Sequence, residues 1–495
     1  MAETPCLADK IPLSAGLVVH LGCGDGRAVA AFRDRNPRAR LIGIEADPAL
    51  AARAAAILDE VYCLAPEPGP LPPLPPADCI LLGPGLVERL AAPGELLNEL
   101  GRSLAEAGVL VAWLASANQA AQHALLTDAG LHPVDAEALT LGGADLVTWR
   151  VTAAPVPPLR VFSSMLPPIG GVSQVRVVEP MAALSTEPTI AADITNQFEA
   201  VPFLDGAAGI FILHRPALLG AEGLAKLRSL MVRGWLVVCE FDDHPSQIPI
   251  LYRSDVQNFR AVHAIQTSTP ALAEVFGREN QEVAVFANAI RRLPAPANFA
   301  VPGQVTMLFA ALNREEDWPG YVEALDAAAA DSGGALRFHV IADRAFFDAL
   351  ATPHKVFTPL CDYSGYLDIL ARCEVSFMPL RDTLFNRCKS DLKYLEAASH
   401  RAVALASPVV YGQSINDGET GLIFDGPTGL YDRLMRVVAD PDAACALAER
   451  GRADIAQHRM LAYQVRARVQ WYRDLWSRRG ELHAALLRRV PELAG

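Results

Sequence analysis

The chain has 495 residues, of which 51% are hydrophobic and 20% charged, and it carries a formal net charge of -13. This length predicts two to four domains, and the composition is typical of a folded α/β protein and not of a disordered one. The negative charge excludes a general nucleic-acid binder, because such proteins need a broad cationic surface to release counterions.

Targeting and redox features are absent from the sequence pattern. The N-terminal stretch MAETPCLADKIPLSAG lacks the basic and apolar regions of a signal peptide, and no later apolar run reaches the length of a membrane span. The nine cysteines form no CxxC pair, so they indicate neither a zinc site nor a disulfide framework. We therefore expect a cytoplasmic protein without a cysteine-bound zinc site.

Two proline-rich segments, 153–159 and 293–303, divide the chain into three blocks. In each block short apolar runs alternate with amphipathic helices, which is the pattern of a parallel sheet covered on both faces. We predict an α/β fold with three Rossmann-like units, over residues 1–152, 159–292 and 304–495. The predicted strands are LVVHL, RLIGIE, DCILLG, GVLVAWL and DLVTWRV, then LRVFS, GIFILH, WLVVCEF and AVHAIQTS, and finally VTMLFAA, RFHVIAD, VSFMPL, AVALAS and TGLIF.

The first block opens with a strand, a glycine turn and a helix in VVHLGCGDGRAVAAF. Gly22, Gly24 and Gly26 allow positive φ and close backbone approach, so a ligand can lie against the helix N-terminus. Glu45 ends the next strand, where a carboxylate can bind both hydroxyls of a ribose. Together with ARLIGIEADPALAARA, this block resembles the class I S-adenosylmethionine-dependent methyltransferases over roughly residues 15–152. The resemblance implies that these three glycines and Glu45 bind that cofactor.

The same block departs from the family at three places. His20 stands where the family usually has an acid, VYCLAPEPGP lacks the Asp that is common near the adenine, and LLGPGLVERL contains no acidic or aromatic catalytic motif. The block is therefore either a cofactor-binding methyltransferase or a structural relic of one. We expect His20 to be packed, or to tether the loop, and not to act as a base.

The third block contains the segment NRCKSDLKYLEAASHRAVALASP, which predicts a loop, a helix and a strand. Lys389, Ser390 and the free amides at the helix start favour a phosphate. Glu396 can reach vicinal hydroxyls, so the segment suits a diphosphate attached to a ribose. For Lys389 and Lys393 the alternative is a solvated helix face, because lysine is mostly exposed.

This order of elements is similar to the C-terminal domain of family 4 glycosyltransferases, which are retaining enzymes of the GT-B fold. The similarity covers roughly residues 159–476 and implies that Glu396 holds the nucleotide ribose of the donor. It also matches Gly418 and Gly421, in the DGETGL turn, to a turn of the donor site. In that family the terminal helix commonly crosses back to the N-terminal domain. Enzymes of the GT-B fold generally need no metal, so the resemblance implies that none is bound.

The second block adds further matches to the same family. Gly170 and Gly171, in LPPIGGVSQVR, correspond to the loop that meets the donor diphosphate and the acceptor. His214, at the end of FILH, is similar to the active-site histidine. Asn288 takes the asparagine position of an NG turn, with Ala289 in place of the glycine.

Two departures concern the expected charges of the donor site. The first glutamate of the family's E-x7-E motif falls on Cys388, and Arg314 matches the family's arginine but no lysine follows it. Lys389 and Lys393 could replace the missing positive charge. Because the phosphate-binding and ribose-binding elements persist, a diverged enzyme is favoured over an inactive one.

We therefore predict a glycosyltransferase that moves a sugar from a nucleoside-diphosphate donor to a glycan, lipid-linked or protein acceptor, fused to a block that can bind S-adenosylmethionine. The alternatives are a methyltransferase with a glycan-recognition module, and a non-catalytic scaffold. The basic and aromatic segment RMLAYQVRARVQWYRDLWSRRG either packs within the protein or rests on the inner face of an anionic membrane.

Overall fold

The computed structural model describes residues 7–64, 71–115, 118–141, 143–166, 171–252 and 255–494. In these ranges the strands form three separate sheets that are rich in parallel pairs, so the predicted α/β fold class is confirmed. The chain divides into two compact units that are not continuous in sequence. Unit 1 comprises Met1–Val161, Met181–Asp193 and Ala462–Arg473, and unit 2 comprises Phe162–Pro180, Ile194–Leu461 and Asp474–Gly495.

The first sheet belongs to unit 1 and has the strand order β3-β2-β1-β4-β5-β7-β6. Its order 3-2-1-4-5 is that of a doubly wound Rossmann sheet, in which ligands bind where the strand order reverses, here between β1 and β4. β5 and β7 pair antiparallel, as do β7 and β6. The strands are β1 (Leu17–Leu21), β2 (Arg40–Glu45), β3 (Glu60–Cys63), β4 (Ala77–Leu82), β5 (Leu104–Ala115), β6 (His132–Leu141) and β7 (Ala144–Thr152), and the helices are α1 (Arg27–Ala30), α2 (Pro48–Ala54), α3 (Pro93–Arg102) and α4 (Gln119–Asp128).

The second sheet has the order β13-β12-β11-β10-β8-β9, and β10 to β13 pair in parallel in chain order. Its strand order reverses between β8 and β10, which makes the carboxyl ends of these two strands the expected ligand edge. A π-helical turn, Gln174–Val178, leads directly into α5. The strands are β8 (Leu159–Ser163), β9 (Ile190–Ile194), β10 (Gly209–His214), β11 (Leu236–Glu240), β12 (Ala264–Thr267) and β13 (Val283–Val285), and the helices are α5 (Glu179–Leu184), α6 (Gly220–Val232) and α7 (Pro270–Phe276).

The third sheet lies in unit 2 and has the order β16-β15-β14-β17-β18-β19, with parallel pairs throughout. This is the 3-2-1-4-5-6 order of the Rossmann fold, and the order reverses between β14 and β17. The strands are β14 (Val305–Ala310), β15 (Leu336–Ile341), β16 (Lys355–Thr358), β17 (Val375–Met378), β18 (Val403–Ala406) and β19 (Leu422–Ile423). The helices are α8 (Val322–Asp331), α9 (Arg344–Ala349), α10 (Tyr363–Leu370), α11 (Leu384–Arg387), α12 (Leu392–Ser399), α13 (Gly426–Ala439), α14 (Pro441–His458), α15 (Ala462–Ser477) and α16 (Arg479–Arg489).

The central strands are apolar because both of their faces are covered. Every residue of β11, β17 and β18 is buried, as expected for a parallel sheet between helix layers. The last helix joins one of these cores, since Leu486 and Val490 pack in the same hydrophobic cluster as Phe211 and Trp235. The terminal helix therefore packs with strands of the second sheet.

The basic and aromatic segment near the C-terminus makes contacts inside the protein. In α15, Arg466 pairs with Asp78 at 2.5 Å, and Arg473 donates to the carbonyl oxygen of Thr189 at 3.2 Å. Tyr472, on the same helix, is fully buried. Among the described residues no helix is both long enough and apolar enough to cross a membrane. These contacts favour the packing alternative for the segment, and membrane contact stays a prediction.

Candidate functional site

The glycine turn of unit 1 has the backbone conformation that its sequence predicts. Gly22, Gly24 and Gly26 have φ values of 69°, 59° and 80°, a region that other residues rarely adopt. A Cβ added at Gly26 would lie 3.1 Å from Leu58, whereas one at Gly24 would meet nothing within 4 Å. Gly26 therefore serves packing, and Gly24 leaves open space in front of the turn.

Glu45 anchors this turn through backbone hydrogen bonds. Its Oε2 accepts from the amide of Gly24 at 2.7 Å, and its Oε1 accepts from the amides of Ala46 and Asp47 at 2.9 and 3.0 Å. The first of these bonds holds the glycine turn, and the other two fix the carboxylate against the backbone that follows β2. The expected binding of a ribose by Glu45 stays a prediction.

A cavity of about 390 Å³ opens at the glycine turn of unit 1. His20, at the end of β1, lines it together with Trp113, and neither ring nitrogen of His20 has a hydrogen-bond partner among the described residues. Burial lowers the pKa of His20 to about 4, so the ring is neutral at pH 7. The other lining residues are Leu7, Lys10, Gly22, Cys23, Gly24, Asp25, Ala28, Pro84 and Leu139. A buried imidazole without a partner is a place where a bound ligand can be recognised.

Unit 2 contains a cavity of about 220 Å³, the small cavity, at the carboxyl ends of β14 and β15. It lies at the carboxyl edge of the third sheet, which is the usual ligand edge of such sheets. Its lining residues are Gly171, Val172, Ala310, Ala311, Leu312, Ile341, Ala342, Leu360, Cys361, Asp362, Tyr363, Tyr366, Leu392, Lys393 and Glu396. The wall is mainly apolar, with two carboxylates, Asp362 and Glu396, and one ammonium group, Lys393.

Glu396 is the buried carboxylate of the small cavity, and it is 1% exposed. Its Oε1 accepts from the hydroxyl of Tyr363 at 2.9 Å, and its Oε2 accepts from the hydroxyl of Tyr366 at 2.7 Å. Lys393 lies 3.3 Å from Oε2 and 3.8 Å from the centre of the Tyr366 ring. Glu396 is thus buried with protein partners at both oxygens, and its expected binding of a ribose stays a prediction. Lys393 is paired with Glu396, and its expected contact with a phosphate stays a prediction.

A second cavity of unit 2, the large cavity, has a volume of about 770 Å³ and shares Leu312 with the small one. Basic and acidic groups alternate along its wall, so the wall carries no strong net charge. The charged residues that line it are Arg215, Arg314, Arg381, Lys389, Asp243, Glu315, Glu316 and Asp317, and the others are Ser246, Ile248, Leu312, Asn313, Thr383, Leu384, Phe385 and Asn386. Such a wall suits a polar ligand with several hydrogen-bonding groups.

Two of the predicted phosphate-binding cations line the large cavity and already have protein partners. Lys389 forms an ion pair with Asp243 at 2.8 Å, and burial lowers its pKa while Asp243 opposes the shift. Arg314 donates to Oδ1 of Asn386 at 2.7 Å and lies 3.3 Å from Asp317. Both cations are thus held in fixed positions at the cavity wall.

A buried network of unit 2 fixes Ser390. Asn288 donates to the Ser390 hydroxyl at 2.8 Å and accepts from Nη1 of Arg176 at 2.8 Å. Arg176 also forms a two-point ion pair with Glu240, at 2.9 and 3.1 Å. Gln266 donates to the same carboxylate at 2.8 Å. A hydroxyl that accepts one hydrogen bond keeps its own proton to donate, so Ser390 remains able to donate to a ligand.

His214 lies at the end of β10, and it is 2% exposed. Its amide donates to the hydroxyl of Ser164 at 3.1 Å, and neither ring nitrogen has a partner in the described parts of the chain. Burial lowers the pKa of His214 to about 4, with Asp242 opposing the shift. The ring is therefore neutral at pH 7. His214 is not among the residues that line the two cavities, and its predicted contact with the sugar stays a prediction.

The two glycine motifs of the predicted donor site differ in their surroundings. Gly170 lies outside the described residues, whereas Gly171 packs so closely that an added Cβ would be 2.6 Å from the ring of Tyr363. In the DGETGL turn the amide of Gly418 donates to the carbonyl oxygen of Gly421 at 2.8 Å. This turn is closed on itself and lines neither cavity, so its approach to a donor stays a prediction.

Sequence reasoning missed the tyrosines that surround Glu396. Tyr363 and Tyr366 are three residues apart at the start of α10, in the sequence DYSGY, so they lie on one helix face. That spacing was the available signal, but nothing in the sequence shows which group they would meet.

Glu179, the first residue of α5, was also missed. Burial raises its pKa to about 7, with Arg291 opposing and Glu396 reinforcing the shift.

Within the described ranges no group of three or more His, Cys, Asp or Glu side chains is placed to hold a metal ion. The segment EFDDH, residues 240–244, supplies ion-pair partners, since Asp242 pairs with Arg215 at 2.6 Å and Asp243 pairs with Lys389. Of these two carboxylates, Asp243 lines the large cavity.

The chain is similar to known proteins of two kinds, and no family model matches it. The trans-aconitate 2-methyltransferase of Methylobacterium nodulans is 30% identical over 139 residues, which are 28% of this chain and 54% of that protein. The chain spans about half the length of the curated relatives it matches.

Solved structures with a similar backbone also include both kinds. Anabaena HepE, in complex with UDP and glucose, has 10% identity and a TM-score of 0.44, covering 63% of this chain and 98% of that one. A TehB-like SAM-dependent methyltransferase from Corynebacterium glutamicum has 16% identity and a TM-score of 0.26, covering 30% and 90%.

Proposed function

We propose that unit 2 is a glycosyltransferase that moves a sugar from a nucleoside-diphosphate donor to a glycan, lipid-linked or protein acceptor. The observation that carries the proposal is the pair of adjoining cavities at the carboxyl edge of the third sheet. One holds a buried carboxylate, Glu396, and the other is bordered by Lys389 and Arg314. A carboxylate suits the ribose diol, and cations suit the diphosphate.

In this proposal the small cavity takes the nucleoside and the large cavity takes the sugar and the acceptor. The donor diphosphate would lie against Lys389, Ser390 and the loop that contains Gly171. Positive charge there stabilises the leaving diphosphate, which is the group on which negative charge develops. The neutral His214 would contact the sugar as a hydrogen-bond partner. Membership of family 4 and retention of configuration are part of the proposal and rest on the sequence motifs.

A binding screen tests this proposal without knowledge of the acceptor. Thermal shifts of the full chain are measured with UDP, GDP, ADP and dTDP and with their sugar conjugates. A ligand present at tens of times its dissociation constant adds about 2 kcal/mol of stability, which is readily detected. We expect a shift with one nucleotide class, and loss of that shift in Glu396→Gln.

The matched control is Glu374→Gln, a second buried carboxylate of unit 2. Glu374 is 5% exposed, accepts from the amides of Phe299 and Thr306 at 2.9 and 2.7 Å, and lines neither cavity. This variant should keep the nucleotide shift. Nucleotide binding that survives in Glu396→Gln, or is lost equally in both variants, would contradict the assignment of Glu396.

We also propose that unit 1 binds S-adenosylmethionine at the cavity beside its glycine turn. The open space at Gly24 and the unpartnered ring of His20 support a ligand there, and the similarity to a methyltransferase agrees with it. S-adenosylmethionine and S-adenosylhomocysteine belong in the same screen. Shifts with these two alone would favour a methyltransferase with a glycan-recognition module, and no shift with any ligand would favour a scaffold.

A further inference from the structure

The carboxylate proposed to bind the donor ribose already has a hydrogen bond at each oxygen. Tyr363 donates to Oε1 of Glu396 at 2.9 Å, and Tyr366 donates to Oε2 at 2.7 Å. In both bonds the phenol hydroxyl is the donor and the carboxylate oxygen is the acceptor. Burial, reinforced by the charge of Glu396, raises the pKa of both tyrosines well above the usual value, so both phenols keep their protons.

The two tyrosines differ in their packing. Tyr366 is 8% exposed and belongs to a hydrophobic cluster with Leu370 and Ala397. Both tyrosines line the small cavity. Tyr363 is more exposed, packs against the outside of the same cluster, and lies so close to Gly171 that a Cβ added there would be 2.6 and 2.7 Å from two ring carbons. The side chain of Tyr363 thus reaches from Gly171, in the loop of the predicted diphosphate site, to Glu396, the carboxylate predicted to bind the ribose.

A ribose diol and the Tyr363 hydroxyl are the same kind of group, namely O–H donors to one carboxylate. Hydrogen bonds to a charged acceptor are stronger than those between neutral groups. If a ribose hydroxyl replaces the Tyr363 hydroxyl at Glu396, one such bond is lost for each one formed, so the net gain in binding free energy is small. A carboxylate has about four acceptor positions, and Tyr363, Tyr366 and the Lys393 ion pair use three of them. A nucleotide that binds Glu396 through both ribose hydroxyls must therefore compete with Tyr363 for Oε1.

We propose that Tyr363 sets the specificity of the donor site by competing with the ribose hydroxyls for Glu396. This inference rests on the proposed function. In the unmodified protein the competition weakens binding of ribonucleotides and reduces the preference over the matching 2′-deoxyribonucleotides. Tyr366, held in the core, keeps its bond to Oε2 and orients the carboxylate.

The test compares dissociation constants of UDP and 2′-deoxy-UDP, and of ADP and 2′-deoxy-ADP, by titration calorimetry. In Tyr363→Phe the ring still covers Gly171 but the hydroxyl is gone. We expect the better ribonucleotide to bind roughly tenfold more tightly, the size expected for a lost hydrogen bond to a charged group, with its deoxy form changed less than about threefold. Tyr366→Phe should not tighten the ribonucleotide.

Two further comparisons keep the outcomes distinct. Tyr363→Met, which also lacks the hydroxyl but keeps an apolar side chain against Gly171, should show the same selective gain, so the result does not depend on one variant folding well. If the unmodified protein binds a nucleotide but neither Tyr363 variant changes the ribose preference, or both bind more weakly, the inference is overturned and the proposed function stands. If no protein binds any of the four nucleotides, the inference is overturned, and the proposed function falls with it when GDP and dTDP also give no shift in the binding screen.

Discussion

The buried ion pair between Arg176 and Glu240 gives the sharpest stability prediction. The two side chains are 3% and 0% exposed and meet at 2.9 and 3.1 Å. Arg176→Met keeps an apolar side chain of similar reach but leaves the carboxylate of Glu240 buried without its cation. Removing one partner of a buried pair costs about 3–5 kcal/mol, because the remaining charge stays desolvated.

For a domain of this size about 1 kcal/mol shifts Tm by roughly 2 °C, so Arg176→Met should lower Tm by about 6–10 °C. The matched control is Arg344→Met. Arg344 pairs with Asp348 at 3.0 Å on the surface of α9, where the side chains are 64% and 57% exposed. Water screens that pair, and its loss should move Tm by less than about 1 °C.

Differential scanning fluorimetry of the three proteins at neutral pH is sufficient for this comparison. The reasoning is refuted if Arg176→Met lowers Tm no more than Arg344→Met does. A large loss would also release Asn288, which Arg176 holds against Ser390. Nucleotide binding, if present in the parent, should then weaken as well.

Two further predictions concern pH and packing. Burial lowers the pKa of His214 from 6.5 to about 4 in the folded protein. Between these two pH values the unfolded state binds more protons than the folded state. The free energy of unfolding therefore falls as the pH drops through this range, by up to about 1.4 kcal/mol per pH unit. The free energy of unfolding is measured for the parent and for His214→Phe between pH 7 and 4, and its slope against pH should be smaller for the variant. Equal slopes would show that protonation of His214 does not cause the loss of stability. Gly171→Ala places a Cβ 2.6 Å from Tyr363 and should cost about 1–3 kcal/mol. Gly480→Ala, whose Cβ meets nothing within 4 Å, should not lower Tm, and equal losses would contradict the packing argument.

The sequence predicted the interior strands of each sheet, but of the edge strands it predicted only β19. The strands it did not predict are β3, β6, β9, β13 and β16, and each lies at an edge of its sheet. Central strands are covered on both faces and are therefore continuous apolar runs. Edge strands are short or half exposed, like Lys355–Thr358 and Val283–Val285. Polar residues therefore interrupt the apolar run from which a strand is predicted.

At the candidate site the sequence predicted which groups are present but not which groups pair. The apolar run after Glu396 required that a carboxylate there have partners, and the structure shows Tyr363 and Tyr366 in that role. Those tyrosines come from a helix about thirty residues earlier, so only the fold brings them together. Lys389 was predicted from its position before α12, whereas its partner Asp243 follows a strand of a different sheet.

Unit 1 contains residues from both ends of the chain, which has a consequence for its biosynthesis. Its segment Ala462–Arg473 supplies Arg466 to Asp78 and places the ring of Tyr463 4.2 Å from the Arg38 guanidinium. Ribosomes add about 5–20 residues per second, so the first sheet waits tens of seconds for the helix that completes its unit. During that interval the nascent chain exposes the surface that α15 later covers, and chaperones or a helix supplied in trans can act on it.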